Sequence, residues 1–119
     1  MSVTHSRNKG KRGELAFAAY LREQGFSARR GQQFAGRAVG GEGQPDVCSS
    51  VPGVHWEVKH LASGLRVYPA LAQAEADAPE GAAGVVAYRR ASKKHRGLPW
   101  VAVLHMDDLL RLIYRLEEE

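Results

Sequence analysis

Two carboxylates and a lysine lie close together in the segment GQPDVCSSVPGVHWEVKH, residues 43–60. Asp46 begins one stretch, while Glu57 and Lys59 lie two residues apart in the next, beyond a Pro-Gly turn. Side chains alternate between the two faces of a strand, so a strand here places Glu57 and Lys59 on one face, about 6 to 7 Å apart. Groups at this separation could act together on one bound ligand. Whether Asp46 faces the same side depends on strand register, which the sequence leaves open.

A third carboxylate, Glu14, is predicted to point toward the same sheet. Residues 9–24 are rich in helix formers. On a helical wheel Glu14 falls on the apolar stripe that should pack against the sheet. A charged side chain there is costly unless it is paired or bound to a cation. We therefore expect Glu14 to face Asp46 and Glu57. The other members of the stripe are Phe17, Ala18 and Leu21.

Three converging carboxylates would repel one another unless a cation neutralised them. Oxygen ligands suit a hard divalent ion, so Mg²⁺ is the expected cofactor and Mn²⁺ could replace it. Such an ion can polarise a phosphodiester and lower the pKa of a bound water. Lys59 could orient that water or offset charge on the phosphate. These groups therefore favour hydrolysis of a phosphodiester.

The charge distribution favours a polyanionic partner. The chain has a formal net charge of +4, and its basic residues are concentrated within residues 5–37 and 89–96. The first segment contains only two acids, Glu14 and Glu23, and the second contains none. Two basic segments on a small domain are typical of nucleic-acid binding. The predicted DNA contacts are Arg7, Lys9, Lys11, Arg12, Arg29, Arg30, Arg37, Arg89, Arg90, Lys93 and Lys94.

The elements that would position these groups follow the order αβββαββα. The predicted strands are FSARRG, DVCSSV, VHWEVKHL, GVVAYRR and PWVAVLHM. Gly25 is expected to end the first helix, Pro69 to lie in the first turn of the second helix, and Asp107 to cap the last. We therefore expect an α/β fold, with a mixed sheet of about five strands flanked by helices. The apolar face of the last helix comprises Met106, Leu109, Leu112, Ile113 and Leu116.

The chain is predicted to form one domain over residues 1–119, since 44% of it is hydrophobic and its length suits one core. Residues 1–8 are expected to form a flexible basic arm, residues 36–44 a glycine-rich loop and residues 117–119 an acidic tail. The single cysteine excludes an internal disulfide. Neither a signal-peptide core nor a membrane-length apolar run is present in the sequence, so we expect a cytoplasmic protein, or one in the host cytoplasm if a phage encodes it.

These residues resemble the PD-(D/E)xK nuclease superfamily. The resemblance rests on Glu14, then Pro45-Asp46, then Glu57-Val58-Lys59. The opening NKGKRGELAFAAYLREQGF is similar to the start of archaeal-type Holliday junction resolvases, and Gln73 stands where the superfamily often has a glutamine. The similarity covers about residues 8–90.

The resemblance implies a restriction-endonuclease-like fold and a Mg²⁺-dependent endonuclease. The implied substrate is branched DNA, a four-way junction resolved by paired cuts, and the implied assembly is a homodimer. It assigns Asp46, Glu57 and the Val58 carbonyl as metal ligands, with Glu14 completing the acidic set at the metal. It assigns Lys59 as the catalytic lysine and Gln73 as a further catalytic residue.

This sequence departs from the archaeal-type resolvases at two positions that bear on DNA selectivity. The archaeal resolvases carry a serine in the loop before the PD motif, whereas residues 34–44 contain no serine or threonine. His60 replaces a small hydroxyl residue that is common at its position.

One alternative is therefore a nuclease of the VRR-NUC type, or another member of the superfamily, that acts on flaps or duplex DNA. A second is a basic DNA-binding module without activity. Neither a nucleotide-binding loop nor paired histidine ligands for zinc are found in the sequence.

Overall fold

The computed structural model describes residues 3–31, 33–34, 37–38, 44–91 and 98–118, without the side chains of residues 3–9, 33, 34, 37 and 38. The elements are α1 (Val3–Glu23), β1 (Ala28–Arg30), β2 (Gln33–Phe34), β3 (Arg37–Ala38), β4 (Val47–Ser49), β5 (Val54–Leu61), α2 (Val67–Asp77), β6 (Ala83–Arg90), β7 (Val101–Val103) and α3 (Met106–Glu118).

A mixed five-stranded sheet, in the order β1-β4-β5-β6-β7, forms the centre of the fold. Strands β5 and β6 run parallel, and the other neighbouring pairs run antiparallel. A parallel pair requires a crossover, which α2 provides. The predicted α/β architecture is therefore confirmed at this level. Strands β2 and β3 form a separate two-stranded sheet.

Helices α1 and α2 pack on opposite faces of the sheet, which we call the α1 face and the α2 face. The core on the α1 face contains Phe17, Ala18, Leu21, Val47, Val58 and Ala87, with Trp56 and Trp100 packed against it. The core on the α2 face contains Ala70, Leu71, Ala74 and Val86. Glu57 is in register with Val86 of β6, whereas Val58 is in register with Ala87. The strand alternation therefore directs Glu57 toward the α2 face.

Two glycines allow close approach between helices and sheet. A Cβ atom on Gly84 would lie 2.7 Å from the backbone of Ala74 in α2. A Cβ atom on Gly13 of α1 would lie 2.6 Å from the Cβ atom of His60 in β5. Because these separations are shorter than van der Waals contact, larger residues would push both helices away from the sheet. Gly13 directly precedes Glu14, so the close contact of Gly13 with β5 holds the backbone of Glu14 near the sheet.

The structure corrects two predicted boundaries. Helix α1 begins at Val3, so the backbone of residues 3–8 is helical instead of forming an arm. This segment contains helix-favouring Arg7, and Lys9 follows it, which lets the helix extend toward the amino terminus. Helix α3 begins at Met106, and the His105 carbonyl accepts from the backbone N–H of Asp108. Asp107 therefore lies inside the first turn, not at the cap, where its charge complements the helix dipole.

Some predicted features lie outside the described residues. For Arg7, Lys9 and Arg37 only the side chains lie outside them. Lys93, Lys94 and most of the glycine-rich loop lie outside them entirely. Of the predicted acidic tail, Glu117 and Glu118 are the last residues of α3. Within the described ranges, no helix is both long enough and apolar enough to cross a membrane.

Candidate active site

Strands β4 and β5 bring Asp46 and Glu57 side by side. Val47 is paired with Trp56, and Asp46 precedes the first of these residues while Glu57 follows the second. The Asp46 backbone N–H donates to the Trp56 carbonyl at 3.0 Å, and Asp46 Oδ2 accepts from the Val58 backbone N–H at 2.9 Å. The two carboxyl groups are close enough to act on each other, since the charge of Asp46 raises the pKa of Glu57. The register that the sequence leaves open thus places both carboxylates at one site.

A Pro-Gly turn produces this register. Gly53 has a φ of 74°, a left-handed conformation that glycine adopts at low cost, and it reverses the chain between β4 and β5. The Gly53 carbonyl also accepts from the backbone N–H of Ala83 at 2.8 Å, which ties the turn to the start of β6. The turn therefore determines which residue of β5 lies opposite Asp46.

Burial makes the carboxyl pair hold a proton near neutral pH. Burial, followed by the charge of Asp46, raises the pKa of Glu57 to about 7, while the charge of Lys59 lowers it. The pKa of Asp46 is also raised, first by burial, while the Val58 N–H lowers it. Glu57 is only 6% exposed. Near neutral pH a substantial fraction of the protein therefore keeps Glu57 protonated, and a bound cation would favour the charged form.

Lys59 extends along the same face and connects the pair to α2. Its Nζ atom donates to Gln73 Oε1 at 3.1 Å and lies 3.7 Å from Glu57 Oε1. Gln73 is exposed on α2, so the ammonium group lies where the site meets solvent. The three residues that the sequence places on β5 and the following helix are therefore in contact in the fold.

Glu14 approaches Asp46 but pairs with an arginine. Its Oε1 atom lies 2.6 Å from Arg30 Nε, and its side chain is 18% exposed. Burial and the charge of Asp46 raise the pKa of Glu14, while the hydrogen bond and charge of Arg30 lower it. The described residues contain no group of three or more carboxylate, imidazole or thiol side chains arranged to hold a metal ion. The close carboxylates are thus Asp46 and Glu57, and Glu14 forms an ion pair beside them.

Two residues near the pair were not assigned a role from the sequence. His55 is 4% exposed on the same strand face as Glu57, and burial lowers its pKa while Asp77 and Asp46 oppose that effect. Gln44 Nε2 donates to Cys48 Sγ at 3.7 Å, and Gln44 Oε1 is buried without a hydrogen-bond partner. His55 lies two residues from Glu57 in β5, a signal that strand alternation provides.

The predicted DNA-binding residues lie in different surroundings. Lys11, Arg12, Arg29 and Arg90 are exposed. Arg30 is directed to the α1 face by its ion pair with Glu14. The Arg89 guanidinium lies over the Trp100 ring, 4.6 Å from the ring centroid. Stacking on an indole holds a guanidinium plane in place while its N–H donors remain available.

Comparison with protein-family models, with curated proteins and with solved structures finds no match to this chain.

Proposed function

We propose that this protein is a metal-dependent endodeoxyribonuclease of the restriction-endonuclease-like fold that hydrolyses phosphodiesters in four-way DNA junctions. The observation that carries the proposal is the register that places Asp46 beside Glu57, with Lys59 on the same face as Glu57 and bonded to Gln73. The sequence resemblance predicts these residues as one site, and the fold brings them together from β4, β5 and α2. The basic surface supports a polyanionic substrate.

The chemistry of the donor set fits Mg²⁺ or Mn²⁺. Asp46 and Glu57 supply oxygen atoms and lie side by side, and Glu57 is buried, so a hard cation could take the place of the proton that Glu57 holds. We propose that these two carboxylates and the Val58 carbonyl hold the ion. When bound, it supplies Lewis-acid activation of the phosphate and lowers the pKa of a water.

The neighbouring residues have separate tasks in this proposal. The Lys59 ammonium group, held by Gln73, offsets negative charge that develops on the phosphate oxygens. The Val58 N–H fixes the Asp46 carboxylate in one orientation. Glu14 forms an ion pair with Arg30 on the α1 face, so we do not place its carboxylate on the metal ion. This differs from the metal-ligand role that the resemblance implies for Glu14.

We further propose that the working unit is a homodimer. Resolving a junction requires two cuts, and the described residues contain one Asp46–Glu57 pair. Helix α3 leaves much of its apolar surface exposed, including Leu110 at 55% and Leu116 at 69%. A two-fold pair could bury this surface on both subunits and place two sites on one junction.

A substrate panel tests the proposal. Purified protein is incubated with an end-labelled four-way junction, a flap and a linear duplex, each with Mg²⁺ or with EDTA. We expect Mg²⁺-dependent cleavage of the junction at paired positions and little cleavage of the duplex. Cleavage of the flap or duplex at an equal rate would favour a nuclease without junction selectivity. Binding without cleavage under every metal condition would favour a DNA-binding module.

A further inference from the structure

Strands β1 and β4 carry an open groove, which we call the outer-strand groove, and strand alternation directs Arg29 and Cys48 of its lining to the α2 face. It has a volume of about 420 Å³ and is lined by Ser27, Ala28, Arg29, Cys48, Ser49 and Ser50. Helix α2 packs against β5 and β6. On β1 and β4, by contrast, Arg29 and Ser50 remain exposed and Cys48 is partly exposed. A ligand at the carboxyl pair could therefore extend onto this part of the sheet.

The strand register fixes the distance between the groove and the pair. Arg29 lies opposite Cys48. Cys48 follows Asp46 by two residues, so both side chains project from the same face, about 7 Å apart along the strand. Arg29 lies one strand further out, about 5 Å away. A phosphate in the groove would thus be one or two nucleotides away from the phosphate at the proposed reaction centre, on the same bound strand.

The lining of the groove suits a phosphate backbone. None of its residues is acidic. Arg29 makes no ion pair with any described residue, in contrast to Arg30, which pairs with Glu14 on the opposite face. The Ser50 hydroxyl oxygen accepts from the Ser27 backbone N–H at 2.9 Å, which leaves the hydroxyl proton to be donated. Arginine and serine are typical contacts to phosphate oxygens.

We propose that the outer-strand groove binds the sugar-phosphate backbone of the DNA strand that is cut, with Arg29 on a phosphate next to the one held at Asp46 and Glu57. The choice of DNA rests on the proposed function. Contacts of this kind position a strand without reading its bases, so the groove sets the position of the cut strand for any sequence. This assigns Arg29 and Ser50 to binding and not to the chemical step.

Cys48 is a natural reporter for the groove, because it is the only cysteine in the chain. Wild-type protein is alkylated with N-ethylmaleimide in EDTA, with and without a saturating four-way junction. We expect bound DNA to slow alkylation of Cys48 at least tenfold. The control is a Cys48→Ser, Glu80→Cys double variant, since Glu80 is exposed in the turn before β6. Its introduced thiol should react at the same rate with and without DNA.

The salt dependence of binding supplies a second readout. Arg29→Gln should lower the magnitude of the slope of log K against log salt by about 0.9, the value for one phosphate contact. Arg115→Gln, an exposed change on α3, is the matched control and should leave the slope unchanged. An unprotected Cys48 thiol or an unchanged slope for Arg29→Gln overturns the groove proposal.

The two readouts separate this proposal from the nuclease itself. Junction cleavage by a protein whose Cys48 stays fully reactive on DNA would retain the nuclease and overturn the groove. Protection of Cys48 together with the lower Arg29→Gln slope, but without cleavage in any metal, would retain the groove and overturn the nuclease. Because alkylation is measured on the wild-type chain, the first readout does not depend on the folding of a variant.

Discussion

The buried carboxyl pair should couple the stability of the metal-free protein to pH. The folded-state pKa of Glu57 is raised to about 7, above the value for a free glutamate. Between about pH 4.5 and 7 the folded protein therefore keeps a proton that the unfolded chain has released, and stability falls as pH rises through this window. We expect a loss of about 3 kcal/mol, since each pKa unit corresponds to about 1.4 kcal/mol. Melting temperatures in EDTA from pH 4.5 to 8.5 measure it.

Substitutions assign this pH dependence to one residue. Glu57→Gln should lose most of this dependence on pH, because the group with the largest shift is removed. Glu80→Gln changes an exposed glutamate and should follow the wild-type curve. A wild-type melting temperature that rises steadily from pH 5 to pH 8 in EDTA would contradict the described environment of Glu57.

Metal binding should distinguish Asp46 from Glu14. At pH 8, Mg²⁺ should raise the melting temperature of the wild-type protein, because it relieves repulsion within the buried pair. Asp46→Asn should lose this response. Glu14→Gln should retain most of it, because Glu14 is paired with Arg30. Loss of the response in Glu14→Gln with retention in Asp46→Asn would reverse the proposed ligand set.

The basic amino-terminal part of helix α1 should contribute to DNA affinity. Lys11 and Arg12 are exposed there. The double change Lys11→Gln, Arg12→Gln should flatten the dependence of log K on log salt, by about 0.9 for each phosphate contact removed. Changing Arg7 and Lys9 as well should flatten it further. The matched control is Arg111→Gln, Arg115→Gln on α3, and equal slopes in both double variants would remove α1 from the interface.

The elements with the strongest local signals were predictable from the sequence. Strand β5 spans Val54–Leu61, the whole predicted segment VHWEVKHL, because a Pro-Gly turn begins it and apolar and polar residues alternate within it. Gly25 has a φ of 97°, as expected for a residue that ends α1. In contrast, β2 and β3 have two residues each, too few to show a period, and they fall partly within the predicted loop.

Contacts between distant segments were only partly predictable. The inward position of Glu14 follows from its helical face, since Phe17 and Ala18 on the same stripe are buried. Its pairing with Arg30 does not follow, because it depends on how far β1 extends beside α1. The side-by-side placement of Asp46 and Glu57 likewise depends on a register that the turn sets in three dimensions. Residue types and strand alternation therefore indicated which residues form the site. Which residues they contact became known only from the three-dimensional structure.

For the whole molecule, α3 should mediate dimerisation. Its exposed apolar residues are Met106, Leu109, Leu110, Ile113, Tyr114 and Leu116. Leu112 lies against the turn at Gly53, so this helix covers its own domain with one part of its apolar surface and leaves the remainder exposed. We expect a mass near twice 13.0 kDa by light scattering at micromolar concentration.

A charged substitution tests which surface is used. Leu110→Lys should give a monomer, because it places an unpaired charge in the apolar interface. Leu15→Lys, at an exposed leucine of α1, should remain dimeric. The monomeric variant should nick junctions without paired cuts. A wild-type mass near 13.0 kDa both with and without a junction would contradict the paired-cut mechanism and leave the nuclease assignment intact.

The central claim is that Asp46 and Glu57 act as one metal-dependent site, and the single-turnover cleavage rate of Asp46→Asn tests it most directly. The asparagine oxygen could still accept from the Val58 N–H, so the fold and junction binding should be preserved within a few-fold. With saturating enzyme, Mg²⁺ and a labelled four-way junction, we expect wild-type protein to cut and Asp46→Asn to cut at less than a hundredth of that rate. A rate above one tenth of the wild-type value, with equal binding, would contradict the proposed site.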